Sequence, residues 1–486
     1  MPNFEARADA GAVADDQSRR RCALLLALRA QAARNDALRC RIAELESSHS
    51  WRLTAPLRQL RAWFSKGRAS TAPALKPADA GMPGLVPDAG NLLRNQVGLI
   101  RGDAPAMRPA TRPLFVDVTE LDLADQGAGV QRVVHHLLAE LLLEPPAGFR
   151  VEPVRLAADG RYVHARAFVG RMLGLPAFEV GRDWPIAASP GAWFLGLDLI
   201  RDRALLAGPE IQSLREQGVR IGFVVYDLLP LAHPQWFPKG MDARFADWLQ
   251  LLAVHADIAL CISGTVASQL PLALAQTAGP RRAIDVVSFF LGADHGESIL
   301  PKTAPAANAA VRFLMVGTIE PRKGHAQALA AFERLWARGS DVELVIAGHA
   351  GWSMDGFLQR LRAHPQLGNR LHWIDGADDA ALAATYHSST ALLAPSLGEG
   401  FGLPLVEAAM HGLPVLARDL PVFREVAGAG ADYFGGDDVD AMVSAIEHWL
   451  ALWRSGRHAD PALVTRLTWR ESADVLRKLL QGSAGA

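Results

Sequence analysis

Pro395-Ser396-Leu397-Gly398-Glu399-Gly400-Phe401-Gly402-Leu403-Pro404-Leu405-Val406-Glu407-Ala408-Ala409 follows the apolar run Ala391 to Ala394. The run reads as a buried strand and the stretch after Gly402 as the opening of a helix. Gly398, Gly400 and Gly402 permit tight turns and close backbone approach, and Pro404 suits a first helical turn. A glycine turn at that place exposes amides at the positive end of a helix, a cradle for pyrophosphate or sugar oxygens. Glu399 in the loop and Glu407 one turn into the helix can both face such a ligand, and carboxylates accept hydrogen bonds from hydroxyls. Two glutamates eight apart are also common by chance, and a helical Glu is usually solvated. The surrounding Gly and Pro favour the functional reading.

A second stretch of the same design, Val316-Gly-Thr-Ile-Glu-Pro-Arg-Lys-Gly324, leaves another predicted strand and enters a helix near Lys323. Arg322 and Lys323 stand where a planar fork and a point charge can neutralise a leaving diphosphate. A basic pair at a loop end is usually just solvated; beside the glutamate loop it gains meaning. Further apolar runs, Phe313 to Val316, Leu344 to Ala347, Leu371 to Ile374 and Val415 to Ala417, complete a series of buried parallel strands. They predict an α/β domain over 306–486. Leu114 to Val118, Ile221 to Tyr226, Ile258 to Ile262 and Ile284 to Ser288 predict another over 113–305. In doubly wound sheets ligands lie beyond the carboxyl ends of the strands, so two such domains face to face make a cleft lined by loops of both.

These stretches closely resemble the retaining glycosyltransferases of family 4, which have the GT-B fold. The resemblance rests on Gly317-Thr-Ile-Glu-Pro-Arg-Lys-Gly324 and Glu399-Gly-Phe-Gly-Leu-Pro-Leu-Val-Glu407. Gly412-Leu-Pro-Val415, Pro421-Val-Phe-Arg-Glu-Val426 and Thr468-Trp-Arg-Glu-Ser-Ala473 extend it over most of 313–480. The version resembles bacterial mannosyl- and rhamnosyltransferases of O-antigen and other surface polysaccharide. The first domain matches more loosely, through Val225-Tyr-Asp-Leu-Leu-Pro230 with His233 and Pro234, Ile262-Ser263 and Leu291-Gly-Ala-Asp294. The resemblance implies that Glu407 holds the ribose of a nucleotide diphosphate sugar, Glu399 the transferred sugar, and Arg322 with Lys323 the diphosphate. Gly317, Thr318, Gly400, Phe401, Gly402 and Leu403 would line the donor. Many relatives have an arginine where this chain has Thr318, and Arg322 is its candidate substitute.

Elsewhere the residues leave alternatives open. Asp125-Gln-Gly-Ala-Gly-Val-Gln-Arg132 puts Gly127 and Gly129 at a strand-to-helix turn, where backbone can approach phosphate or acceptor, or simply turn. Asp227, ending a predicted strand, can orient the sugar or accept the acceptor proton, or it can cap a turn. His233 is a second candidate beside it, with local packing or capping as the plainer reading. Asp438-Val-Asp440 has metal-ligand spacing but opens a predicted helix, so capping explains it and the transfer is expected to need no metal. The tryptophans at 352, 373, 449, 453 and 469 read as packing residues.

Composition sets the limits. The 486 residues carry 50 basic and 51 acidic side chains, for a net charge of -1, so nothing global points to nucleic acid. Cys22, Cys40 and Cys261 match neither a disulfide framework nor a common zinc site and suit a reducing compartment. An N-terminal helical extension is expected over 1–68. Leu24, Leu28, Gln31, Asn35, Leu38, Ile42 and Leu45 read as a coiled-coil seam or as one packed amphipathic helix. The stretch to Arg68, with Trp51, Trp63 and Phe64 among cations, suits an anionic membrane surface or a docking helix. Contact with membrane, with a second copy or with another partner is thus expected within 20–68, and 69–112 reads as a linker. Neither secretion nor a membrane span is expected, which places the chain in the cytoplasm, with the inner face of the plasma membrane as a possible station. The expected function is retaining transfer of a hexose, mannose from GDP-mannose first, to a saccharide or lipid-linked saccharide, with no cofactor beyond the donor. The alternatives are a nucleotide sugar epimerase of the same fold and a non-catalytic scaffold subunit.

Overall fold

The computed structural model describes residues 111–123, 129–172, 183–279, 281–293, 310–377 and 379–482. The extension at 1–68, almost all of the linker at 69–112, Gly127 and Asp294 lie outside them. The chain divides into two compact units, one of residues 1–105 with 167–182 and one of 106–166 with 183–486. In the first, the described residues are the end of the helix Arg166–Met172. All that follows concerns the second.

That unit holds two sheets. The first contains β1 Arg112–Asp117, β2 Phe149–Leu156, β3 Tyr162–His164, β4 Trp193–Gly196, β5 Arg220–Val225, β6 Ile258–Cys261 and β7 Asp285–Ser288. Their order is β3-β2-β1-β4-β5-β6-β7, with β3 alone antiparallel at the edge. The second contains β8 Val311–Val316, β9 Val342–Ala347, β10 Leu371–Ile374, β11 Ala391–Ala394, β12 Val415–Arg418 and β13 Asp432–Phe434, ordered β10-β9-β8-β11-β12-β13 and parallel throughout. This is the expected pair of doubly wound α/β halves, the GT-B arrangement. The winding reverses between β1 and β4 in one half and between β8 and β11 in the other, and crevices for ligands open at such places.

The central strands are apolar without alternation because helices cover both faces. Ala391–Ala394 is buried at every position. Phe313 of β8 meets Phe332 and Trp449 edge-on, at 5.6 and 5.2 Å between centroids, so Trp449 fills the core as a packing residue. Tyr162, Phe194, Phe223 and Trp248 form a comparable edge-to-face chain in the first half.

Eight helices position the chemistry: α1 Gly129–Leu143, α2 Gly264–Ala275, α3 His325–Ala337, α4 Asp379–Ser388, α5 Leu403–Met410, α6 Pro421–Ala427, α7 Val439–Arg454 and α8 Trp469–Gly482. Although α8 follows the second sheet in sequence, it packs on α1 of the first half. Thr468 and Glu471 form a capping box at its start, with Glu471 accepting from Thr468 N at 2.8 Å and Thr468 Oγ1 accepting from Glu471 N at 3.2 Å. Trp469 then stacks on His136, and Arg477 donates to the carbonyls of Glu140 and Glu144, both at 2.6 Å, at the C-terminal end of α1. Asp438 caps α7 through Ala441 N, as a helix start requires, and Asp440 pairs with Arg334.

Candidate active site

The site is built where β8 and β11 diverge. After β8 the chain passes Gly317 and makes a tight turn at Pro321–Lys323 before α3 begins at His325. Gly324 stands between them with φ +73°, and an added Cβ would lie 2.5 Å from Pro395 O, so only glycine fits this turn. Leu397 N donates to Arg322 O at 2.7 Å, which joins the basic loop to the glutamate loop.

Their side chains are joined more firmly. Arg322 Nη1 donates to Glu399 Oε2 at 2.7 Å and to Gly398 O at 3.0 Å, while Nη2 meets Glu320 Oε1 at 2.7 Å. Lys323 Nζ donates to Glu399 Oε1 at 2.5 Å. Burial alone would raise the Glu399 carboxyl, but Lys323 and Arg322 outweigh it and hold it down at about 2. Burial disfavours the Arg322 cation, yet Glu399, Glu320 and Asp227 together keep it above the ordinary guanidinium value. Glu320 is itself buried, and its carboxyl is raised by that burial against the pull of the two cations.

The first half supplies Asp227. It follows β5, and its carboxylate accepts from Leu229 N at 3.1 Å, the turn-capping role, while lying in the field of Arg322. Burial raises its carboxyl and Arg322 opposes that rise. Gly400 brings the halves together here: a Cβ on it would sit 1.9 Å from Tyr226 O and 3.1 Å from Asp227 Cβ. Ser263 Oγ of the first half donates to Gly400 O at 2.8 Å and accepts from Val266 N as the cap of α2. Glu425 of α6 accepts from Gly264 N, Thr265 N and Thr265 Oγ1 at 2.6, 2.8 and 2.6 Å, so a carboxylate of the second half seats on the N-terminus of a first-half helix.

Glu407 has different company. It is 1% exposed on α5; its Oε1 lies 2.9 Å from Arg132 Nη2, and its Oε2 accepts from Tyr386 Oη at 2.6 Å. Glu407 also raises the Arg132 cation above its ordinary value, against the opposing effect of burial. Tyr386, from α4, stacks on His411.

The structure therefore gathers Arg322, Lys323, Glu399 and Asp227 in one cluster. Gly317 lies under the Lys323 side chain and Gly402 precedes α5 in the left-handed conformation. Leu403 begins α5 and is half-buried. Phe401 is turned away to pack edge-on against Phe290, and the Thr318 methyl is set against Gly351. His233 stacks on Trp236 at 4.0 Å between centroids, and Gly129 is exposed at the start of α1. Of the tryptophans, Trp352 donates to Trp236 O and Trp373 to Gly348 O, both fixing backbone. Sequence reasoning missed Glu320, Ser263, Arg132, Tyr386 and Glu425 as site-shaping residues. Four of them lay in stretches already singled out; Tyr386 had no local signal.

A small cavity of about 20 Å³ lies behind the cluster, lined among others by Lys323, His325, Ser396 and Glu399. His325 is 2% exposed, and neither ring nitrogen has a hydrogen-bond partner among the described residues. Burial, helped by Lys323, pushes its imidazole down to about 3, so it is neutral at ordinary pH.

Comparison with known proteins fits this geometry. Residues 301–460, which contain both loops, match the family model described as glycosyl transferases group 1. The second sheet and its loops thus carry a glycosyl transferases group 1 domain. Serotype-specific mannosyltransferase WbdA of Escherichia coli is 40% identical to this chain over 381 residues, 76% of this chain and 45% of that one. Phosphatidyl-myo-inositol mannosyltransferase of Mycolicibacterium smegmatis is 40% identical over 131 residues, 26% of this chain and 32% of that one. O-antigen chain mannosyltransferase RfbU of Salmonella typhimurium is 30% identical over 136 residues, 28% of this chain and 37% of that one. The chain spans less than half the length of these relatives. Among solved structures, Anabaena Alr3699/HepE in complex with UDP-glucose shares the fold, with a TM-score of 0.53 at 14% identity, over 76% of this chain and 98% of that one.

Proposed function

We propose that this protein is a retaining hexosyltransferase that moves mannose, with GDP-mannose as the first donor to test, onto a saccharide of a bacterial surface polysaccharide. The observation that carries the reading is the meeting of Arg322 and Lys323 with Glu399 at the β8–β11 crevice, opposite Asp227 of the first half. The mannosyltransferase names of its relatives support the choice of sugar and, for RfbU, of O-antigen as product class.

In this reading the diphosphate rests against Arg322, Lys323 and the amides before α5, and Glu407 takes the ribose. Glu399 accepts from hydroxyls of the transferred sugar. Retention requires the acceptor hydroxyl to approach the face from which the diphosphate departs, through an oxocarbenium-like transition state. The two cations and the helix end stabilise the departing charge, which makes a metal ion unnecessary, and the leaving phosphate takes the acceptor proton. Asp227 orients the sugar from the opposite half, and closure of the crevice excludes water. Gly129, at the exposed start of α1, and the His233 loop are assigned to the acceptor side, as is Gly127, its neighbour in sequence. No described helix is long and apolar enough to cross a membrane; we place the work at the cytoplasmic face, with residues 20–68 as the attachment to membrane or partner.

The test compares donor binding with turnover in purified variants. Glu407→Ala should weaken donor binding at least tenfold, and Lys323→Ala should slow transfer by about 10² or more while changing binding less. Normal transfer by both would refute the site, and mass spectrometry of products from a panel of nucleotide sugars with a lipid-linked saccharide extract would correct the donor.

A further inference from the structure

The two cations assigned to the diphosphate are both paired with Glu399. Glu399 offers one carboxylate oxygen to Lys323 Nζ at 2.5 Å and the other to Arg322 Nη1 at 2.7 Å. That is the two-point grip a phosphate oxygen pair would make on an ammonium and a guanidinium. The side chains of Glu399, Lys323 and Arg322 are 10, 12 and 16% exposed, so no bulk water competes strongly for them. Each oxygen of Glu399 thus accepts from one of the two cations, which fixes the carboxylate on the basic loop. Glu320 differs: it holds Arg322 through the other terminal nitrogen, Nη2, and has no such contact with Lys323. Its grip can persist whatever sits on Nη1 and Nζ.

We propose that Glu399 is an internal stand-in for the donor diphosphate, released toward the sugar only when an anion has taken Lys323 and Arg322. The idea rests on the donor-site reading above and deepens it: the carboxylate that reads the sugar is unlocked by the diphosphate. A hexose without its diphosphate meets a locked reader, so the site selects for the activated form.

Inorganic pyrophosphate is the probe, titrated calorimetrically into the full-length chain and its variants, with thermal melts confirming that each is folded. Glu399→Gln should lower the pyrophosphate Kd at least fivefold. Glu399→Asp keeps the charge but shortens the reach by one methylene, and it should lower Kd about two- to threefold. Glu320→Gln removes one negative charge next to Arg322 without touching the stand-in, and should change Kd less than Glu399→Asp does. A general field effect gives the reverse order, with Glu320→Gln resembling Glu399→Gln and Glu399→Asp resembling the native protein; that order overturns the proposal. In crystals soaked with pyrophosphate, Lys323 Nζ and Glu399 should part beyond 4 Å, and an intact pair beside bound pyrophosphate overturns it as well. If GDP binds through Glu407 but pyrophosphate fails to compete with it, the stand-in is wrong and the donor site survives. If neither binds any of the folded proteins, the donor site itself is wrong and the stand-in falls with it.

Discussion

The two halves are wound alike, and each places buried acid where its winding reverses, yet the acids behave in opposite ways. In the first half Asp117 ends β1 and Asp198 follows β4; in the second, Glu399 lies in the loop after β11, against the cations that follow β8. Asp117 accepts from Thr119 N, Thr119 Oγ1 and Tyr162 Oη at 2.9, 2.5 and 2.8 Å, and Asp198 accepts from Leu121 N and Leu199 N. Burial, with Asp198 adding to it, pushes the Asp117 carboxyl up to about 7, against the pull of those hydrogen bonds. Glu399, five residues past the end of β11, is held at about 2 by Lys323 and Arg322. The sheet supplies the place; the charges of the loops decide its use. Burial makes the first a structural acid that keeps its proton up to about pH 7, and cations make the second an ionised carboxylate that another anion can replace.

The largest effect expected from this contrast is on pH stability through Asp117. Its folded pKa lies above its unfolded one, so the native state keeps a proton the unfolded chain releases. Below about pH 4 both forms are protonated and nothing is lost; between about 4 and 7 stability falls as pH rises, by on the order of 4 kcal/mol. Asn is nearly isosteric with the protonated acid. Asp117→Asn should therefore match the native protein in denaturant melts near pH 4 and exceed it at pH 8. Equal stability at pH 8 would show that folding does not raise the Asp117 carboxyl and would erase the contrast.

Glu399 should give a smaller slope of the opposite sign. Its folded pKa is depressed, so its contribution is complete above about pH 4.5 and disappears as pH falls through about 2, on the order of 3 kcal/mol. Comparison of Glu399→Gln with the native chain at pH 5 and pH 2.5 isolates it: the gap in unfolding free energy should be wide at pH 5 and shrink to about a quarter of that at pH 2.5. A gap that persists unchanged into acid would mean that packing, not charge, holds the loop.

How much of this the sequence disclosed follows the same physics. Apolar runs such as Ala391 to Ala394, buried throughout, and Leu371 to Ile374, at the sheet edge and mostly half-buried, appear at their expected bounds. β2 was missed because Arg150, Glu152 and Arg155 interrupt its apolar residues and Pro153 sits inside it; the charges are absorbed by a pair with Glu152 and by Asp183. β3 and β13 are only three residues long, too short to show a period, whereas β4 went unread although it is as long as β10 and β11 and buried at all four positions. Arg322, Lys323 and Glu399 could be associated in advance because each lies within a few residues of a strand end and parallel strands bring such ends together. Arg132 could not be paired with Glu407, 275 residues away and in the other half, because nothing local marks a docking partner.

The third prediction asks whether the halves are held in register by charge. Glu425 seats on the first amides of α2, where it satisfies two backbone donors that the helix leaves without partners and faces its positive end. Glu425→Ala should cost about 2 kcal/mol, read as a lower unfolding midpoint in denaturant. A midpoint within error of the native one would show that the seat is occupied without being needed.

The smallest effect belongs to Ser263, which links the contrasting halves at the glutamate loop. Its hydroxyl caps α2 through Val266 N and donates to Gly400 O, so removal frees one helix amide and one buried carbonyl. Loss of such a cap costs about 1 kcal/mol. The Gly400 side of the bond carries the functional consequence, since Gly400 adjoins Glu399 and cannot retreat: Tyr226 O lies where its Cβ would be. Ser263→Ala should therefore lower stability by about 1 kcal/mol and raise the donor KM a few fold with kcat nearly unchanged, because the loop is set before chemistry begins. A fall in kcat at constant KM would move the role of this bond from seating the donor to the transfer step, and would make the first half a participant in the chemistry of the second.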